Sequence, residues 1–158
     1  MLKFGIYSSA FLLGTNLISL AIFGTDPDNF GWGEIFGYTV IVVSMGFVFL
    51  GIREYKIKKE SLSFWNALKI GSLISILPSL VFGIYNLVYV KWIDPDFFEH
   101  YLKYQIDQMN NPTQEDMMAL QAQMEPMANP IAMFVIMFLT VFLIGFIIAV
   151  ISSIILKK

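Results

Sequence analysis

The groups in this sequence that could do chemistry are few. The single histidine, His100, stands next to Glu99 and four residues after Asp96. A base beside a carboxylate is the raw material of a general acid–base pair, and an enzyme reading would rest on it. The competing reading is a solvated residue on a helix. With one histidine and no cysteine, imidazole or thiolate ligation of a transition metal and a disulfide framework both lack residues. Carboxylate ligation stays open: Asp26/Asp28 and Asp94/Asp96 have the oxygen chemistry for a divalent cation or a glycan. Each pair also brackets a proline, where acids form turns and caps.

The elements that must position these groups are apolar. The chain of 158 residues is 57% hydrophobic and 14% charged, outside the range of an ordinary soluble domain. The formal net charge of −2 argues against nucleic acid as a partner. Four stretches are long and uncharged enough to cross a ~30 Å hydrocarbon core, at about 4–23, 35–52, 65–92 and 131–156. The first is longer than the apolar run of ~7–15 residues in a signal peptide, so it reads as an uncleaved span. The expected fold is an all-α membrane protein, one integral domain over 1–158.

Between the third and fourth spans, 94–129 is too polar to cross. It reads as an extracytoplasmic insertion, a two-helix cap over about 95–125. Asp94-Pro95 supplies a helix cap and first-turn proline. Asn110-Asn111-Pro112 stops that helix. Thr113 with Asp116 restarts one as a capping box, which Pro126 and Pro130 end. Met117 and Met124 stand on its apolar side, as packing on the bundle or lipid interface or as a docking surface. With Asp94, Asp96 and His100 they are the candidate extracytoplasmic contacts.

The third span carries the strongest pattern. Ala67, Gly71, Ser75, Ser79 and Gly83 recur every four residues. Residues so spaced stack on one helix face, and small residues there let a neighbouring backbone approach. Gly145, Ala149 and Ser153 form a similar ladder in the fourth span, and Gly37, Ser44 and Gly51 a heptad face in the second. Antiparallel packing then sets Ala67 and Gly71 near Ser153 and Ala149. Pro78 kinks the third span and frees a carbonyl near residue 74, which Ser75 or Ser79 is placed to satisfy. Trp65 and Trp92 mark an aromatic belt at the two interfaces.

Four spans put both termini and the loop after the second span on one side. That side holds eight of the ten basic residues, including an anchor of Arg53, Lys56, Lys58 and Lys59 between the second and third spans, and Lys158. Of the acids it holds Glu54 and Glu60. The positive-inside rule makes that side cytoplasmic.

The runs Gly51-Ile52-Arg53-Glu54-Tyr55-Lys56, Ser63-Phe64-Trp65-Asn66-Ala67-Leu68-Lys69-Ile70-Gly71 and Ile93-Asp94-Pro95-Asp96-Phe97 resemble domain-of-unknown-function family 4199 over nearly the whole chain. The chain lacks the glycine expected before Ser63-Phe64. The resemblance implies a small four-helix protein of a bacterial inner membrane and transfers no catalytic residue. It also implies a lead, an accessory role beside a polyprenyl-phosphate glycosyltransferase.

Packing faces outnumber reactive groups. The expectation is therefore a non-catalytic accessory, anchor or assembly subunit, using no cofactor or metal. Its partners would be membrane lipid and a membrane protein or a second copy. The alternative is a small oligomeric transporter or channel. Conduction needs polar groups at membrane depth; Thr15, Asn16, Asn66, Asn86 and Thr140 are the polar remainder of the spans, with Asn66 and Asn86 near the ends.

Overall fold

The computed structural model describes residues 2–59 and 61–157. Glu60 and Lys158, which enter the charge argument, lie outside the described residues. The protein is all-α. The spanning helices are α1 (Leu2–Phe23), α2 (Phe30–Lys59), α3 (Phe64–Val88, extended by a π-helical turn over Tyr89–Ile93) and α6 (Pro130–Leu156). All four are long and apolar enough to cross a membrane. The cap is α4 (Phe97–Asp107) and α5 (Gln114–Ala128).

Helix α2 is longer than its apolar run. It begins at Phe30 rather than Ile35 and carries Arg53, Lys56, Lys58 and Lys59 inside its last turns, so the basic anchor is helical and not a loop. No glycine or proline breaks the chain from 52 to 59, and basic side chains there complement the helix dipole. The Glu54 carboxylate binds Lys58 on its own helix and Lys3 of α1, each at 2.6 Å. This holds the start of α1 to the end of α2. In the turn that follows, Leu62 is buried and Ser63 caps α3, accepting from the Asn66 N–H at 3.3 Å.

Helix α3 packs on all three other spanning helices, and most extensively on α6. The two run antiparallel: Gly71 meets Ala149, Gly145 meets Ser75, and Gly83 meets Phe134. Ala67 and Ser153 are fully buried one turn nearer the termini. Ser75, Ser79 and Ser153 turn their hydroxyls onto carbonyls of their own helices at 2.6–2.9 Å, which satisfies them without a partner. On the other side α1 lies against α2 and α3. There Ser8 donates to the Ser44 carbonyl at 2.8 Å, and Gly51 admits Ile74 and Phe4.

Pro78 leaves the Ile74 carbonyl without its helical donor. The nearby serines do not answer it: Ser75 and Ser79 donate to Gly71 and Ser75. Helix α1 covers it instead. A Cβ built on Gly5 would stand 3.2 Å from the Ile74 oxygen, a tight contact that would move the two backbones apart by a few tenths of an ångström.

The cap departs from expectation at both ends. Asp94 does not cap α4. Its N–H closes the π-helical turn on the Tyr89 carbonyl at 2.9 Å, its own carbonyl accepts from Phe97, and α4 starts after Asp96. The Thr113–Asp116 capping box is present. Pro126 does not end α5, which runs on to Ala128; this close to a helix end, a missing N–H costs one bond. Asn129 then caps α6 through Ile131 and Ala132. Trp32 (69% exposed) joins Trp92 (68%) at the cap end, and Trp65 (69%) stands at the other, so the ring belt has members at both interfaces.

Candidate binding cavity

The small-residue packing does not run the length of the bundle. Buried positions of α1 stop at Leu12 and those of α2 start at Val40. Towards the cap neither helix has a further buried residue, although Phe23 of α1 still meets Phe36 of α2 at 6.3 Å, and a half-open cavity of about 340 Å³ lined by all six helices opens there. Gly33 and Gly37 of α2 face open space there, with nothing within 4 Å of an added Cβ. Gly37 therefore stands apart from Ser44 and Gly51 on the same heptad face: they pack, and it lines the cavity.

Position along the helices divides the lining by depth. Asn16, Gly37, Ile41, Phe82 and Thr140 stand deepest, and Leu12, Met45 and Val141 close the bundle below them. Asn16 and Asn86 each donate their amide to a carbonyl of their own helix, at 2.7 and 2.9 Å. Among the described residues the amide oxygen and the second amide hydrogen of each are left without a protein partner on a cavity-lining side chain. Asn16 therefore does not bond a neighbouring helix. Thr140 donates to Ile136 at 2.9 Å in the same way.

The rim is aromatic. Phe97 sits 5.6 Å from both Phe30 and Tyr89 and stacks on Tyr101 at 5.7 Å. Tyr85 continues the wall 6.2 Å from Tyr89. The π-helical turn widens α3 at Tyr89 and Val90, both of which line the cavity. A polar bridge ties the cap to α2: Tyr101 donates to Glu34, and Gln105 donates to the Tyr101 oxygen at 2.7 Å. Burial first, and then the Glu34 carboxylate, pushes the Tyr101 phenol up to about 12. Gly31 gives Tyr104 room beside the same cluster.

The match to known proteins bears on the whole chain. A family model described as protein of unknown function (DUF4199) covers residues 3–158. The chain belongs to the DUF4199 family. No curated protein and no solved structure matches it.

The candidate contacts of this DUF4199 chain lie outside the cavity. His100 Nδ1 lies 3.3 Å from Asp94 Oδ1, rather than beside Asp96 or Glu99, but without hydrogen-bond geometry. Asp94 is buried at 5% exposure and its Oδ2 lacks a partner, while Asp96 is exposed. Among the described residues no group of three acids or histidines could hold a metal ion. Met117 and Met124 are half-buried on one side of α5, which packs on α4 and α6, and Met127 of the same side lines the cavity. The acidic and aromatic stretch Asp26–Glu34 supplies part of the rim. Two glycines four apart at the start of α2, Gly33 and Gly37, were the available signal.

Proposed function

We propose that this chain is a non-catalytic accessory subunit of a bacterial inner membrane, with both termini cytoplasmic, that works by holding a small amphipathic molecule in its cap-end cavity. The observation that carries this is the cavity's construction. Apolar walls, a few convergent polar groups and a size suited to a small ligand are the marks of a binding site. The packed core beneath it makes the cavity blind, which supports retention over passage through the bundle. The apolar outer faces of α1 and α6 suit lipid or a helix of a membrane partner. Side chains with phosphate-binding charge do not line the cavity among the described residues, so a polyprenyl phosphate is a poor occupant. An accessory role beside a glycosyltransferase would then run through the helix faces.

Capture of the tagged protein from its native membrane in mild detergent tests this reading, with wild type and Gly37→Phe compared. Gly37→Phe fills the cavity without touching the packed core. The expected result is a small molecule recovered with wild type and lost from the variant. Equal recovery from both overturns the proposal.

A further inference from the structure

We infer that the cap-end cavity selects an organic cation with bulky apolar substituents. The inference rests on the proposed function, since it names the class of molecule the cavity would hold.

Charge and the aromatic wall point the same way, and the neutral polar groups are compatible with them. Asp26 and Glu34 line the cavity, and no lysine, arginine or histidine does among the described residues. Thr140 commits its one donor to its own helix, and Asn16 and Asn86 commit one of their two amide hydrogens each, so all three keep an oxygen able to accept and each asparagine also keeps one donor. The Tyr101 proton is committed to Glu34. An anion would face two carboxylates and no basic side chain among the described residues, whereas a cation is matched in charge and can use the amide and hydroxyl oxygens. Tyr38, Tyr85, Tyr89 and Tyr101 line the cavity together with phenylalanines, and ring faces attract a cation most strongly where water is thin. Apolar substituents on the same cation would lie against Phe82, Ile136 and Met137 on the deeper wall.

Glu34 is the group expected to set the charge preference. It lies one helical turn inside α2, keeps its place through Tyr101, and sits beside the rings rather than in the connection. Asp26 is less free, because its Oδ1 accepts the Asp28 N–H at 3.0 Å.

The test uses tetraphenylphosphonium and tetraphenylborate, ions of nearly the same shape and opposite charge. Binding to the purified full chain is measured by equilibrium dialysis in nonionic detergent. Gly37→Phe sets the background, and its monodispersity and unfolding midpoint are checked first. The expected result is saturable phosphonium binding above that background, with borate at background. Glu34→Gln, which still accepts from Tyr101, should weaken the phosphonium by about tenfold, and Tyr85→Leu by about threefold to tenfold. Borate bound as tightly as phosphonium overturns the cation inference and leaves the cavity a binding site. Neither ion above background, with a native small molecule still lost from Gly37→Phe, overturns it as well. Neither ion above background and no native molecule overturns both.

Discussion

Gly71 of α3 faces the methyl group of Ala149 on α6 with no space for a side chain between them: a Cβ built on Gly71 would fall closer to the Ala149 Cβ than real atoms approach. Gly37 of α2 belongs to the same kind of small-residue pattern, yet nothing lies within 4 Å of its Cβ position. The two glycines therefore separate packing from cavity. Gly71→Ala should destabilise the bundle by about 1–3 kcal/mol through overpacking. Gly37→Ala should leave stability unchanged or raise it, since alanine is the better helix former. Thermal unfolding midpoints of the two variants in one detergent check this.

A similar contrast holds within α1. Gly5 meets the carbonyl that Pro78 exposes, and Gly14 meets nothing within 4 Å. Gly5→Leu should lower the unfolding midpoint and detach α1 from α3. Gly14→Leu should leave both as they are. Loss of protection at Gly5 and Ile74 in amide hydrogen exchange would report the detachment.

How much of this was legible in sequence depends on the range of the interaction. The four spans and the Gly71–Ala149 register were legible because apolar length and a four-residue period are local properties of a helix. The end of α2 was not, because hydrophobicity falls at Arg53 while helix propensity does not. Asp94 carries a local cap pattern, but its tertiary environment turns it onto His100. The cavity was hidden for a deeper reason. Gly37, Ser44 and Gly51 share one spacing, and only what the other helices bring opposite each position decides that Gly37 is left open. Phe30, Phe97 and Tyr101 likewise meet only once α4 folds back on α2.

The Tyr101–Glu34 bridge should govern how firmly the cap is held. Tyr101→Phe should raise amide exchange in α4 and α5 and leave the core of α3 and α6 protected. The pH dependence follows from the sign of the phenol's shift. Its folded value lies up to about 12, above the ordinary 10. The protonated phenol therefore stabilises the docked cap fully below pH 10, and the contribution fades as pH rises through 12. In wild type, exchange in α4 should rise over that window, while in Tyr101→Phe it should already be high below it.

Because the chain has no cysteine, single cysteines report sidedness cleanly. Met118→Cys on exposed α5 should react with a membrane-impermeant maleimide in intact cells. Ser61→Cys, in the turn between α2 and α3, should react only after the membrane is opened if the proposed orientation holds. The reverse pattern would invert the topology.

The most direct test of the central claim is native mass spectrometry of the protein purified in mild detergent, wild type beside Gly37→Phe. The account predicts a 1:1 adduct of a small amphipathic molecule on wild type, absent from the variant. An adduct of equal abundance on both proteins, or none on wild type, would contradict it.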